Sequence, residues 1–155
     1  MNEMSEEKLR ENEFHEKIAK SLFNQTWNLI EKKDRTEEED FEMVHSTHAS
    51  SYHWSKIGKP INFQRGEWQV SRVYAILNKP EGCLYHAQRC MNLTKQHNIK
   101  GFDLTFAYEA LARAYSVGKN NTEKEKYLKL AMEAAELIKD EEDKKYVLSE
   151  LTTIT

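Results

Sequence analysis

The stretch EWQVSRVYAILNKPEGCLYHAQRCMNLTKQ, residues 67–96, decides the fold. Its apolar residues recur at helical spacing. It breaks once, at Asn78–Gly82, and Pro80 then stands at or near the first turn of a second helix, where its missing N–H costs little. The layout returns in FAYEALARAYSVGKNNTEKEKYLKLAMEAAELI, residues 106–138. Arg72 and Tyr74 are echoed 41 residues later by Arg113 and Tyr115, and the second break falls at Gly118–Thr122. One helix pair cannot bury its apolar face alone, so two such pairs imply stacking.

Working outward, Thr36 and Glu39 form a capping box for a helix from 37 to 57, with Gly58 and Pro60 closing it. Phe41, Val44, His48, Ser51 or Tyr52, and Ser55 fall along one broad stripe there, which places His48 inside. A first helix spans about 5–32, with Ser5 as a cap and Phe14, Ile18 and Leu22 on its inner face. Asn62, Asp103 and Asp140 are the expected caps of the third, fifth and seventh helices, and Thr122 with Glu125 of the sixth. Gly118 is the expected C-cap of the fifth. Alanines 131, 134 and 135 permit close helix approach.

The expected organisation is all-α, about seven helices in one domain, residues 1–155. A helical-repeat core covers 37–138, with an N-terminal helix in 1–35 and a C-terminal capping helix in 140–155. The segments LARAY, AMEAAELI and VYAILNKPEGCLYHAQRCMNL resemble tetratricopeptide repeats, with Ala75 and Ala87 near small-residue positions of such a unit. The 41-residue spacing exceeds the usual ~34, and no complete consensus motif is present. HASSYHW, GEWQVSRVYAIL and FDLTFAYEALARAY together are also similar to small bacterial proteins of tetratricopeptide-like type. The resemblance implies antiparallel helix pairs in a short right-handed array, and a cytoplasmic location. It implies no catalytic role.

Composition narrows the function. A formal charge of −3 leaves no footprint for broad nucleic-acid binding. A mean hydropathy of −0.83 and the absence of a long apolar run argue against a membrane span. The opening MNEMSEEKLRENE is too acidic and polar for a secretory signal. Cys83 and Cys90 stand seven apart on one helix, about 10 Å along its axis, too far to bridge. They read as small buried hydrophobes in a reducing compartment.

Two clusters carry candidate chemistry. His45 and His48 are neighbours on one helical face, while His53 lies about 80° and 140° around the axis from them. The pair becomes a metal site only with a third ligand such as Glu67, His86 or Glu109. Ser50 and Ser51 beside histidines make a weak triad argument. The second cluster is Glu67, Arg72, Tyr74, Glu109, Arg113 and Tyr115. Its arginines offer planar forks to a carboxylate or phosphate. They would line a peptide groove, or they pair internally with Glu67 or Glu109 and fix helix register.

The expected function is therefore a protein- or peptide-binding scaffold without catalysis of its own. Its groove would use His45, His48, Tyr52, Trp68, Arg72, Glu109 and Arg113, with no cofactor. A small metal-dependent enzyme built on His45 and His48, and a structural homodimer, are the rival readings. No nucleophile elbow, phosphate loop or dinucleotide glycine pattern points to an enzyme class.

Overall fold

The computed structural model describes residues 3–155. Seven helices account for the fold, and no strand occurs among the described residues: α1 (Glu3–Glu31), α2 (Glu37–Ile57), α3 (Pro60–Ile76), α4 (Pro80–Gln96), α5 (Phe102–Val117), α6 (Asn121–Glu136) and α7 (Glu141–Leu151). They pack in adjacent pairs, as a helical repeat array requires. The chain forms two compact units, Met1–Gly66 and Glu67–Thr155, and α3 begins in the first and ends in the second.

In the first unit α1 and α2 run antiparallel. His15 meets His53, Ala19 meets Ser50, and Thr26 meets Ser46, so numbers rise on one helix as they fall on the other. The seam is small and hydroxylic. Ser50 donates to the Ala19 carbonyl at 2.8 Å, the Thr26 and Ser46 hydroxyls lie 2.7 Å apart, and Ala19, Thr26, Ser46 and Ser50 are buried. The expected apolar stripes are therefore displaced. Phe14 is 55% exposed and Phe41 60% exposed, while Met43, Ser46, Thr47 and Ser50 form the inner face of α2. His48, expected inside, is exposed. Hydroxyls that bond across the seam or to their own helix's carbonyls fill a tight interface without large side chains.

In the second unit the core is carried by Val70 and Val73 of α3, Cys83, Ala87 and Met91 of α4, Phe106 and Leu111 of α5, and Ala131 and Ala135 of α6. Alanine at the contact positions of α5 and α6 lets the two helices approach closely. Val147, Leu151 and Ile154 of the C-terminal segment are buried, and α7 packs on α5 and α6.

The caps follow the sequence in part. Thr36 and Glu39 form the expected reciprocal box, and Asp140 accepts from the Asp143 N–H at 2.9 Å. Elsewhere the starts move. Helix α1 already runs from Glu3, so Ser5 is inside it. Pro60 opens α3 instead of closing α2, and Asn62 reaches back to accept from the Lys59 N–H at 2.9 Å. Gly101, at φ 69°, takes the cap of α5 in place of Asp103. Asn120 caps α6 through the Glu123 N–H, so Thr122 lies within the first turn.

Helices α3, α4 and α5 share one ending. Asn78, Asn98 and Lys119 take positive φ, and the next N–H returns to a carbonyl five residues back: Lys79 to Tyr74, Ile99 to Thr94, Asn120 to Tyr115. This is the Schellman closure. Asn tolerates the left-handed conformation readily. At the third site Gly118 keeps φ −77° as C-cap, and Lys119 carries the left-handed turn.

Candidate functional site

The repeat is geometric as well as textual. Tyr74 stacks on His86 at 5.7 Å with planes 10° apart, and Tyr115 stacks on Tyr127 at 5.7 Å with planes 5° apart. Each tyrosine also supplies the carbonyl that closes its own helix. Trp68 and Glu109 occupy equivalent repeat positions, and they meet: the Trp68 indole N–H donates to Glu109 Oε2 at 3.0 Å.

Glu109 is 0% exposed and gathers both repeated arginines. Arg113 Nε donates to Oε1 at 2.6 Å from one turn along α5, and Arg72 Nη2 donates to the same oxygen at 3.1 Å from α3. Arg72 also donates to Glu150 Oε2 at 2.9 Å and lies over the Trp68 ring at 5.1 Å. Arg113 Nη2 reaches the Glu150 carbonyl at 3.3 Å and Thr153 Oγ1 at 2.7 Å. Burial alone would lower the Arg72 pKa, but Glu109 and Glu150 outweigh it and raise it above the ordinary value. Two guanidiniums against two carboxylates are close to balanced, so the cluster ties α3, α5 and α7 together. Of the two roles open to these arginines, the structure shows them paired internally. A cavity of about 210 Å³ opens beside them, lined by Arg72, Ala75, Arg113, Ser116 and Thr153 among others.

A second polar cluster fixes α3 to α4. Glu67 Oε2 is 2.6 Å from His86 Nδ1, and Arg89 Nε donates to Oε1 at 3.3 Å. Burial would raise the Glu67 carboxyl, yet His86 and Arg89 hold it below the usual range. Glu67 and His86 thus engage each other, and Glu109 engages its arginines. Cys83 and Cys90 are free and buried, and burial pushes both thiols up, away from reactive thiolate.

On the outer side of α4 two grooves meet at Glu81 and Tyr85. One, of about 660 Å³, runs past Tyr74, Lys79, Pro80 and His86. The other, of about 640 Å³, runs past Leu84, Gln88, Arg89, Asn92 and Tyr115. Tyr85 stands between them, 64% exposed. Close packing supports this wall. A Cβ at Gly82 would lie 3.0 Å from the Tyr74 ring, tighter than ordinary contact.

Of the residues expected to form a groove, Trp68, Arg72, Glu109 and Arg113 come together in the second unit. His45, His48 and Tyr52 belong to the first unit and are exposed on α2. Among the described residues no group of three or more His, Cys, Asp or Glu is placed to hold a metal ion.

Periodicity overlooks one pair. His15 Nδ1 and His53 Nδ1 lie 2.8 Å apart across the α1–α2 seam, with rings tilted by 44°. The signal is positional, since His15 shares its helix face with Ala19 and Thr26, on the small-residue line that is buried. Glu11 Oε1 stands 3.8 Å from His15 Nε2. A carboxylate there favours the proton on Nε2, leaving His15 Nδ1 to accept and His53 Nδ1–H to donate.

Burial lowers the His53 pKa below its ordinary value, and the neighbouring His15 lowers it further. Above pH ~6.5 the ring is neutral folded and unfolded, and no pH dependence arises. As pH falls through that value the unfolded chain binds a proton that the folded chain refuses. Stability then drops until the lowered folded pKa is passed. Urea midpoints of wild type and H53Q from pH 8 to pH 5 are expected to diverge below pH ~6.5, the wild type losing more. Parallel curves would show that the pair carries no such linkage.

No protein-family model, curated protein or solved structure matches the chain.

Proposed function

We propose that this chain is a tetratricopeptide-like scaffold that binds a short segment of a partner protein, and that the outer face of α4 is where it does so. The observation that carries this reading is Tyr85, a large ring 64% exposed at the junction of two grooves of about 640 and 660 Å³. Exposed aromatic anchors beside preformed concavities are where binding energy concentrates. Tyr74, Leu84 and Tyr115 give the grooves apolar walls for an aliphatic or aromatic anchor. Asn92 offers amide groups to a peptide backbone. Arg89 is paired with Glu67, and Lys79 and Glu81 offset each other, so the favoured segment is uncharged and apolar-anchored.

The arginines do not form this face, because Glu109 and Glu150 already engage them. A cytoplasmic setting belongs to the same reading and fits the two free thiols. No described helix is long and apolar enough to cross a membrane.

The test is selection from a displayed random-peptide library against the intact protein, followed by affinity measurement. Y85A should weaken the selected peptides at least tenfold, a loss of about 1.4 kcal/mol, while circular dichroism stays unchanged. Equal affinity for wild type and Y85A overturns the assignment.

A further inference from the structure

Apart from the proposed binding face, the first unit holds a second feature with its own chemistry. His15 and His53 present like nitrogens to each other at 2.8 Å, from two helices held together along a ladder of hydroxyl contacts. With metal–nitrogen bonds of about 2.05 Å, nitrogens 2.8 Å apart subtend roughly 86° at a shared ion. That is a cis angle of square-planar or tetragonal coordination, the preference of Cu²⁺ and Ni²⁺, and is too narrow for tetrahedral Zn²⁺.

We propose that His15 and His53 form an interhelical two-histidine site for Cu²⁺ or Ni²⁺. The ion takes the place of the proton shared between the two Nδ1 atoms. The His53 proton moves from Nδ1 to Nε2 through solvent, with no net release, and both rings then carry hydrogen on Nε2. Each lone pair turns off the nitrogen–nitrogen line by roughly 47°, the base angle of the same triangle. Glu11 supports this form, because a ligating histidine directs its other N–H to a carboxylate, and Glu11 Oε1 stands 3.8 Å from His15 Nε2. Phe14 and Tyr52 flank His53 at 6.1 Å and 5.5 Å between ring centroids. With two protein nitrogens, the remaining positions fall to water or to an exogenous ligand.

The site differs from the His45/His48 neighbours on α2, which lie on one helix and are exposed. The test uses Cu²⁺ alone on full-length, tag-free protein, with titration calorimetry and electron paramagnetic resonance. Wild type should bind one ion with nitrogen hyperfine structure from two imidazoles. H15Q and H53Q should each weaken binding at least tenfold, and H45Q/H48Q by less than twofold. Bound Cu²⁺ should raise the thermal midpoint of wild type and leave that of H15Q unmoved. Binding by H15Q and H53Q within twofold of wild type, or loss confined to H45Q/H48Q, overturns the proposal.

Discussion

Glu109→Ala should be the most damaging single substitution in the second unit, costing about 3–5 kcal/mol. The residue is fully buried and receives Arg72, Arg113 and the Trp68 indole. Its removal leaves two mostly buried guanidiniums facing each other with Glu150 as the one remaining side-chain carboxylate. A typical domain has only about 5–15 kcal/mol in total, so the variant should lose a large share of its stability. Glu109→Gln keeps the volume and an acceptor for the indole and should lose less. Replacing all three charges, E109L with R72M and R113M, should recover much of the loss, since apolar groups of similar volume often match a buried ionic cluster. Urea unfolding measures each step. Amide exchange at Val147 and Leu151 should speed up in E109A, because α7 is anchored through the same arginines. A loss under about 1 kcal/mol would mean that the guanidiniums find solvent and the cluster is peripheral.

In the first unit, Ala19→Leu should cost about 1–3 kcal/mol or more by overpacking. Ala19 is 0% exposed, and its carbonyl is touched by Ser50 Oγ at 2.8 Å. Three added carbons have nowhere to go unless α1 and α2 separate, and separation breaks the Ser50 contact and the Thr26–Ser46 pair together. Phe14→Ala is the counterpart. Periodicity ranks Phe14 as core, yet its exposure predicts a change within ~0.5 kcal/mol. Unfolding followed through Trp27 and Trp54 fluorescence compares the two. A larger loss from Phe14 than from Ala19 would contradict the hydroxyl seam.

That contrast shows what was legible in the chain. The second unit announces itself because alanines and large aliphatics recur at helical spacing, and Arg-x-Tyr marks equivalent places. The first unit is harder to read, since a tight seam of Ala, Ser and Thr has almost no apolar contrast. The eye goes to Phe14, Phe41 and His48, and the packing goes elsewhere. Of the Glu109 cluster, Trp68, Arg72 and Arg113 are legible as residue types at repeat positions, and Glu150 and Thr153 are not. Whether its arginines face a ligand or a buried carboxylate depends on how α3 and α5 abut, which no local pattern encodes. Tyr85, exposed on α4, has no periodic signature. The same holds for His15, whose partner lies 38 residues away.

The meeting of Trp68 with Glu109 has a consequence for the duplication. A repeat that offered the same residue at this position in every copy could accept another copy at either end and polymerise. Here the two copies are complementary instead of alike: one supplies an indole donor, the other a carboxylate acceptor. Glu150 and Thr153 then accept from Arg72 and Arg113. Helix α7 and the residues just after it thus complete the cluster that the two copies begin. The two copies are thereby specialised against each other, and neither could replace the other without losing the donor–acceptor match.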